Sequence, residues 1–139
     1  MKKIALLLIL ISFIACNKSE VDGIKIGNTL IENQSYSENQ KLIASIKGTI
    51  KQENNSLVSL LNISCDGAGG YDLASVITQI IYKVGEDNFL NMTKSLTAEE
   101  KNLLKGFIEV GLEYGYPIDG KNPNQKVEKE FPKIYENLF

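Results

Sequence analysis

The segment Asp72-Leu73-Ala74-Ser75-Val76-Ile77-Thr78-Gln79-Ile80-Ile81-Tyr82-Lys83-Val84 decides the fold. Leu73, Val76, Ile77, Ile80, Ile81 and Val84 recur at the three- and four-residue intervals that line one face of an α-helix, and no other part of the chain is as regular. Asp72 is placed to cap the start of this helix, and Gly85 stands where a helix end takes a residue of unusual backbone angle. Immediately upstream, Ser64-Cys65-Asp66-Gly67-Ala68-Gly69-Gly70 reads as a loop, because so many glycines destabilise a helix.

Similar signals extend in both directions. Ser37 with Gln40 makes a capping box ahead of Leu42, Ile43, Ile46 and Ile50, a helical run that Asn54-Asn55 ends. Leu57, Leu60 and Leu61 suggest a short helix after that break. Downstream, residues 86–94 carry Phe89, Leu90 and Met92 on another short helix. Thr97 with Glu100 forms a second capping box, followed by an expected buried face of Leu103, Leu104, Phe107, Ile108 and Leu112. Gly111 and Gly115 are four apart, so either a neighbouring helix packs closely there or Gly115 ends the helix. Tyr116-Pro117 and Asp119-Gly120 mark turns, and residues 125–138 hold a last element that Pro132 interrupts. After residue 36 no alternating strand pattern competes. The expectation is an all-α protein, a small single domain of five or six short helices over residues 37–139. A polar tether over residues 16–36 precedes it, in which Ile24, Ile26 and Leu30 either make a short strand or drape over the domain.

The beginning of the chain gives an address. Lys2 and Lys3 precede an apolar run from residue 4 to residue 11, continued by Phe13 and Ile14, and Ala15 is the small residue a signal peptidase needs. The run is too short to span a bilayer core of roughly 30 Å as a helix. Phe13-Ile14-Ala15-Cys16 resembles the lipobox of bacterial lipoproteins, with Phe13 at the place where Leu is common. The resemblance covers the signal and Cys16 only. It implies a signal peptide over residues 1–15, diacylation of Cys16 (palmitate-type chains), and membrane anchoring through that residue. Because Asn17 is not Asp, the family's sorting rule implies the outer membrane rather than the inner, with the domain facing the periplasm or the surface of the cell envelope.

Composition excludes several chemistries. The chain carries a net charge of −2, which falls to −4 once Lys2 and Lys3 leave with the signal, so no nucleic-acid partner is expected. All its basic residues are lysine, so no guanidinium fork is present to grip phosphate or carboxylate. There is no histidine, and Cys65 is the only other cysteine besides Cys16. Histidine metal sites, a Ser-His-Asp triad and a Cys-His pair are therefore impossible, and a lipidated Cys16 leaves no internal disulfide. No metal and no cofactor is expected. In an oxidising envelope a lone thiol is safest buried, the expectation for Cys65.

Four features remain as candidates. The loop of Cys65, Asp66 and Asp72 brings glycines to a helix start, where backbone N–H groups can meet an anion, yet its acids oppose one and a tight connection explains it as well. Glu109 and Glu113 share a helix face and could act as paired carboxylates, although solvated helix surfaces look the same. The turn from residue 119 to residue 124 offers oxygen ligands at alternating places without the spacing of an EF-hand. Tyr114-Gly115-Tyr116-Pro117 supplies a tyrosine patch, and tyrosine suits protein interfaces as readily as it closes cores. With Glu109 and Glu113 these tyrosines form the interface that the sequence favours. The leading expectation is thus a non-enzymatic protein-binding module of the envelope, for example an immunity-type inhibitor of a toxin. The alternatives are an accessory or assembly lipoprotein of a membrane complex, and last a carboxylate-based hydrolase.

Overall fold

The structure, a computed structural model, describes residues 19–117, 120 and 122–139. The signal segment, Cys16 and Asp119 lie outside the described residues. In chain order the elements are a hairpin of β1 (Glu20–Val21) and β2 (Ile24–Lys25), then α1 (Asn28–Glu32), α2 (Tyr36–Ile50), α3 (Ser56–Leu61), α4 (Ala68–Val84), α5 (Glu86–Thr93), α6 (Ala98–Tyr114), α7 (Val127–Glu130) and α8 (Pro132–Leu138). The protein is all-α, with eight helices among the described residues where five or six were expected. The additions are α1, in the expected tether, and the split of the last element into α7 and α8 at Pro132, which takes the first position of α8.

Helix α4 is the centre of the fold. Its stripe is buried as expected, but so is every residue from 73 to 81, on all sides of the helix. A helix surrounded in this way must carry no unpaired polar group. Residues 73–81 contain no charge, and the polar side chains find partners. Thr78 donates to the Ser75 carbonyl at 3.0 Å. Ser75 Oγ accepts from the Tyr116 backbone N–H at 3.1 Å. Burying each Leu, Ile or Val here is worth about 1.5–3 kcal/mol. The broadest contact of α4 is with α6. The two come so close at Gly111 that a methyl there would collide with the Ala74 carbonyl and the Thr78 methyl group. Both readings of the Gly111/Gly115 pair hold, since Gly115 also ends α6.

The tether expected over residues 16–36 is folded from Glu20 onward. Val21, Ile24, Ile26 and Leu30 are buried in the common core. Two side chains of α4 hold them there. Gln79 uses its amide as if it were another strand: Oε1 accepts from Lys25 N–H at 2.8 Å and Nε2 donates to the Lys25 carbonyl at 2.9 Å. Asp72, expected to cap its own helix, lies inside α4 and caps α1 instead, accepting the Leu30 N–H at 3.0 Å. Helix α4 starts earlier, at Ala68, and so takes in Gly69 and Gly70 of the expected loop. Gly27 precedes α1 because the Asp72 carboxylate fills the space a side chain would need. The other end of the chain is pinned alike: the Glu86 carboxylate accepts the Ile134 N–H at 2.9 Å, near the start of α8.

Local capping completes the frame. The box at Thr97 and Glu100 is present. The first box is Ser35 with Glu38, two residues earlier than the expected Ser37 and Gln40. Glu38 outcompetes because its carboxylate accepts from both Ser35 N–H, at 2.7 Å, and Ser35 Oγ, at 2.6 Å. These bonds hold the Glu38 carboxyl below its ordinary range. No helix of the described residues is long and apolar enough to cross a membrane.

Candidate functional site: an apolar groove

Helix α6 has more apolar residues than one face can hold. Leu104, Ile108 and Leu112, with Gly111, face the core. Leu103, Phe107, Val110 and Tyr114 follow one another at i, i+4, i+7 and i+11, which makes a second stripe about a quarter-turn away. Leu103 and Phe107 were expected in the core; instead Leu103 is 46% exposed and Phe107 half-buried. The core side of α6 is already filled by α4, so the second stripe faces water.

Across from this stripe stands the start of α4. Tyr71, 49% exposed, meets Tyr114, 60% exposed, edge to face with ring centres 5.2 Å apart. Between the helices lies an open groove of about 480 Å3, lined by Gly67, Gly70, Tyr71, Leu103, Gly106 and Phe107 together with Asn102 and Val110. No charged side chain lines it. Apolar exposure of this extent, gathered on adjoining helices, is the usual mark of a binding surface.

Gly106 makes the groove unusual. It lies in the middle of α6, where glycine costs roughly 0.5–1 kcal/mol relative to alanine. At Gly111 the fold itself demands the missing side chain. At Gly106 a methyl group would meet no atom of the protein within 4 Å, and the same is true of Gly70 across the groove. Both leave the groove floor open to a close approach from outside.

The other candidates separate. Of the proposed interface, Tyr114 flanks the groove through its contact with Tyr71, and Tyr116 does not line it. The Tyr116 hydroxyl is pushed upward in pKa by burial and by the Asp72 carboxylate. The neighbouring Glu113 carboxylate raises the Tyr114 phenol as well. Glu109 and Glu113 are both exposed, and neither lines the groove. Cys65 and Asp66 line a different hollow of about 330 Å3 beside Thr29, Asn33 and Gln34. Cys65 is half-buried rather than buried, and its thiol is pushed up by desolvation and by Asp66. A thiol so placed resists ionisation, the opposite of what a nucleophile needs. Asp72 is occupied with capping α1. Among the described residues no three Cys, Asp or Glu side chains gather as metal ligands would.

Sequence reasoning found Tyr114 and the glycines but missed Leu103, Phe107, Val110 and Gly106 as surface. The signal was available: two apolar stripes on a single helix. No family model matches the chain, and no curated protein or solved structure matches it either. The class the geometry defines is an all-α domain with an open apolar groove between α4 and α6.

Proposed function

We propose that this chain is a lipid-anchored protein of the bacterial cell envelope that works by binding another protein rather than by catalysis. The observation that carries the binding role is the second apolar stripe of α6, whose Leu103 and Tyr114 stay exposed with Tyr71 beside half-buried Phe107 and Val110. Aromatic and aliphatic anchors of this kind, set around a concave floor, are what protein interfaces bury at their centre. The chemical groups offer no competing role. The carboxylates of Glu109 and Glu113 stand in open solvent, and the Cys65 thiol is disfavoured as an anion.

The anchor rests on the residues before the domain. Lys2, Lys3, the apolar run and Ala15-Cys16 supply a lipoprotein signal, and acylated Cys16 holds the domain at the membrane, most simply the outer one. Labelled palmitate should be incorporated into the wild-type chain and not into Cys16→Ser. For the binding role the test is affinity capture. Residues 17–139, tagged and mixed with solubilised envelope and secreted proteins of the source cells, should retain one partner in near-equal amount. A secreted toxin as that partner makes the protein an immunity factor, and a membrane-complex subunit makes it an assembly lipoprotein. A folded bait that retains nothing refutes the binding role.

A further inference from the structure

We propose that the groove between α4 and α6 receives a basic amphipathic helix of about three turns, contributed by the protein partner. This rests on the binding role above and assigns the chemistry of what is bound. The stripe from Leu103 to Tyr114 advances eleven residues, or about 16 Å at 1.5 Å per residue, the length of three helical turns. Its anchors at i, i+4, i+7 and i+11 match the apolar face of a helix laid alongside. Gly106 and Gly70, which the fold itself leaves without contacts, permit that helix to approach the backbone of α6 and α4 closely.

Charge selects the kind of helix. At about 100° per residue, Glu99 and Glu113 project on the solvent side of the stripe, with Glu109 further round toward Lys105, and all three glutamates are exposed. Asp66 is exposed beside Gly67 at the head of the groove. The lysines of α6 lie elsewhere. Lys105 turns away and sits 5.6 Å from the ring centre of Phe139, beyond α8, and Lys101 leaves the helix from that same far edge. The groove is therefore apolar at its floor and acidic at its rim. Two copies of this face would set like charges against each other, and an anionic membrane surface would be repelled. A helix with an apolar face flanked by lysine or arginine satisfies both floor and rim.

The test uses residues 17–139, the proposed mature chain without its lipid, with folding checked by thermal melting. Two synthetic 18-residue amphipathic peptides serve as probes, with identical leucine faces and either lysine or glutamate on the polar side. Titration calorimetry should show binding of the lysine probe and none of the glutamate probe. Affinity for the lysine probe should fall about five-fold in Glu99→Gln/Glu113→Gln, since rim pairs are individually weak. It should vanish in Gly106→Trp, whose side chain fills the groove without touching the core. Equal binding of both probes, or lysine-probe binding that survives Gly106→Trp, overturns the proposal. So does a dimer that Gly106→Trp dissociates, which assigns the groove to a second copy. If neither probe binds while envelope capture still yields a partner lost in Gly106→Trp, the basic helix is wrong and the binding role stands.

Discussion

Replacing Gly106 with alanine should make the protein more stable and a poorer binder, a pairing that few substitutions produce. The stability arm follows from the helix alone. Gly106 sits inside α6 with no neighbour within 4 Å of the place a methyl would occupy, so nothing is displaced. Alanine then gains the roughly 0.5–1 kcal/mol by which it exceeds glycine in helix interiors. For a domain of this size that corresponds to a rise in melting temperature of about 2–5 °C. The binding arm follows from the groove. A methyl on its floor lifts an incoming helix from its seat, and overpacking of this kind costs about 1–3 kcal/mol. Affinity should drop between about 5-fold and 150-fold. Calorimetric melting and titration against the captured partner read the two arms separately. A fall in melting temperature means that the fold itself requires Gly106. A rise with unchanged affinity means that the partner sits elsewhere. Either result refutes the reasoning.

Other substitutions probe how the N-terminal segment is held. Gln79→Leu keeps the bulk but leaves both polar groups of Lys25 without their amide partner, at a cost of about 1–3 kcal/mol; amide exchange at residues 20–26 should accelerate more than in α6, and uniform exchange would contradict the strand-like role of Gln79. Asp72→Ala should cost about 1 kcal/mol as a lost helix cap. Gly27→Ala should be damaging in the wild type and milder in the Asp72→Ala background, because the methyl competes with that carboxylate for the same space; additive losses would refute the overlap. Cys65 should react with iodoacetamide at pH 8 more slowly in the folded protein than in urea, since burial and Asp66 raise its pKa and deplete the thiolate; equal rates would show that the folded thiol is not so shielded.

What could be read from the sequence was what depends on near neighbours. The stripe of α4, the Thr97–Glu100 capping box, the end at Gly85 and the break at Pro132 each rest on residues a few positions apart. Residues 20–32 were left open between a short strand and a draped tether, and helix α1 went unseen, because their partners are remote: Asp72 is 42 residues from Leu30, and Gln79 is 54 from Lys25. One local sign was present in Asp22-Gly23, a two-residue turn with both φ angles positive, typical of a tight hairpin. Helix α6 posed a different difficulty. Leu103 and Leu104 are adjacent and equally apolar, and only the position of α4 decides which of them is covered. The groove was illegible for the same reason, although Gly67 and Gly70 at its head had been noticed.

The proposed seat of a partner protein on the stripe of α6 is open to photo-cross-linking. A photo-reactive amino acid placed at Leu103 in the full-length chain, and separately at Lys51 just beyond α2, should be irradiated in growing cells. The account predicts one discrete adduct from position 103, abolished by Gly106→Trp, and none from position 51. Adducts from position 51 with none from position 103 would contradict it.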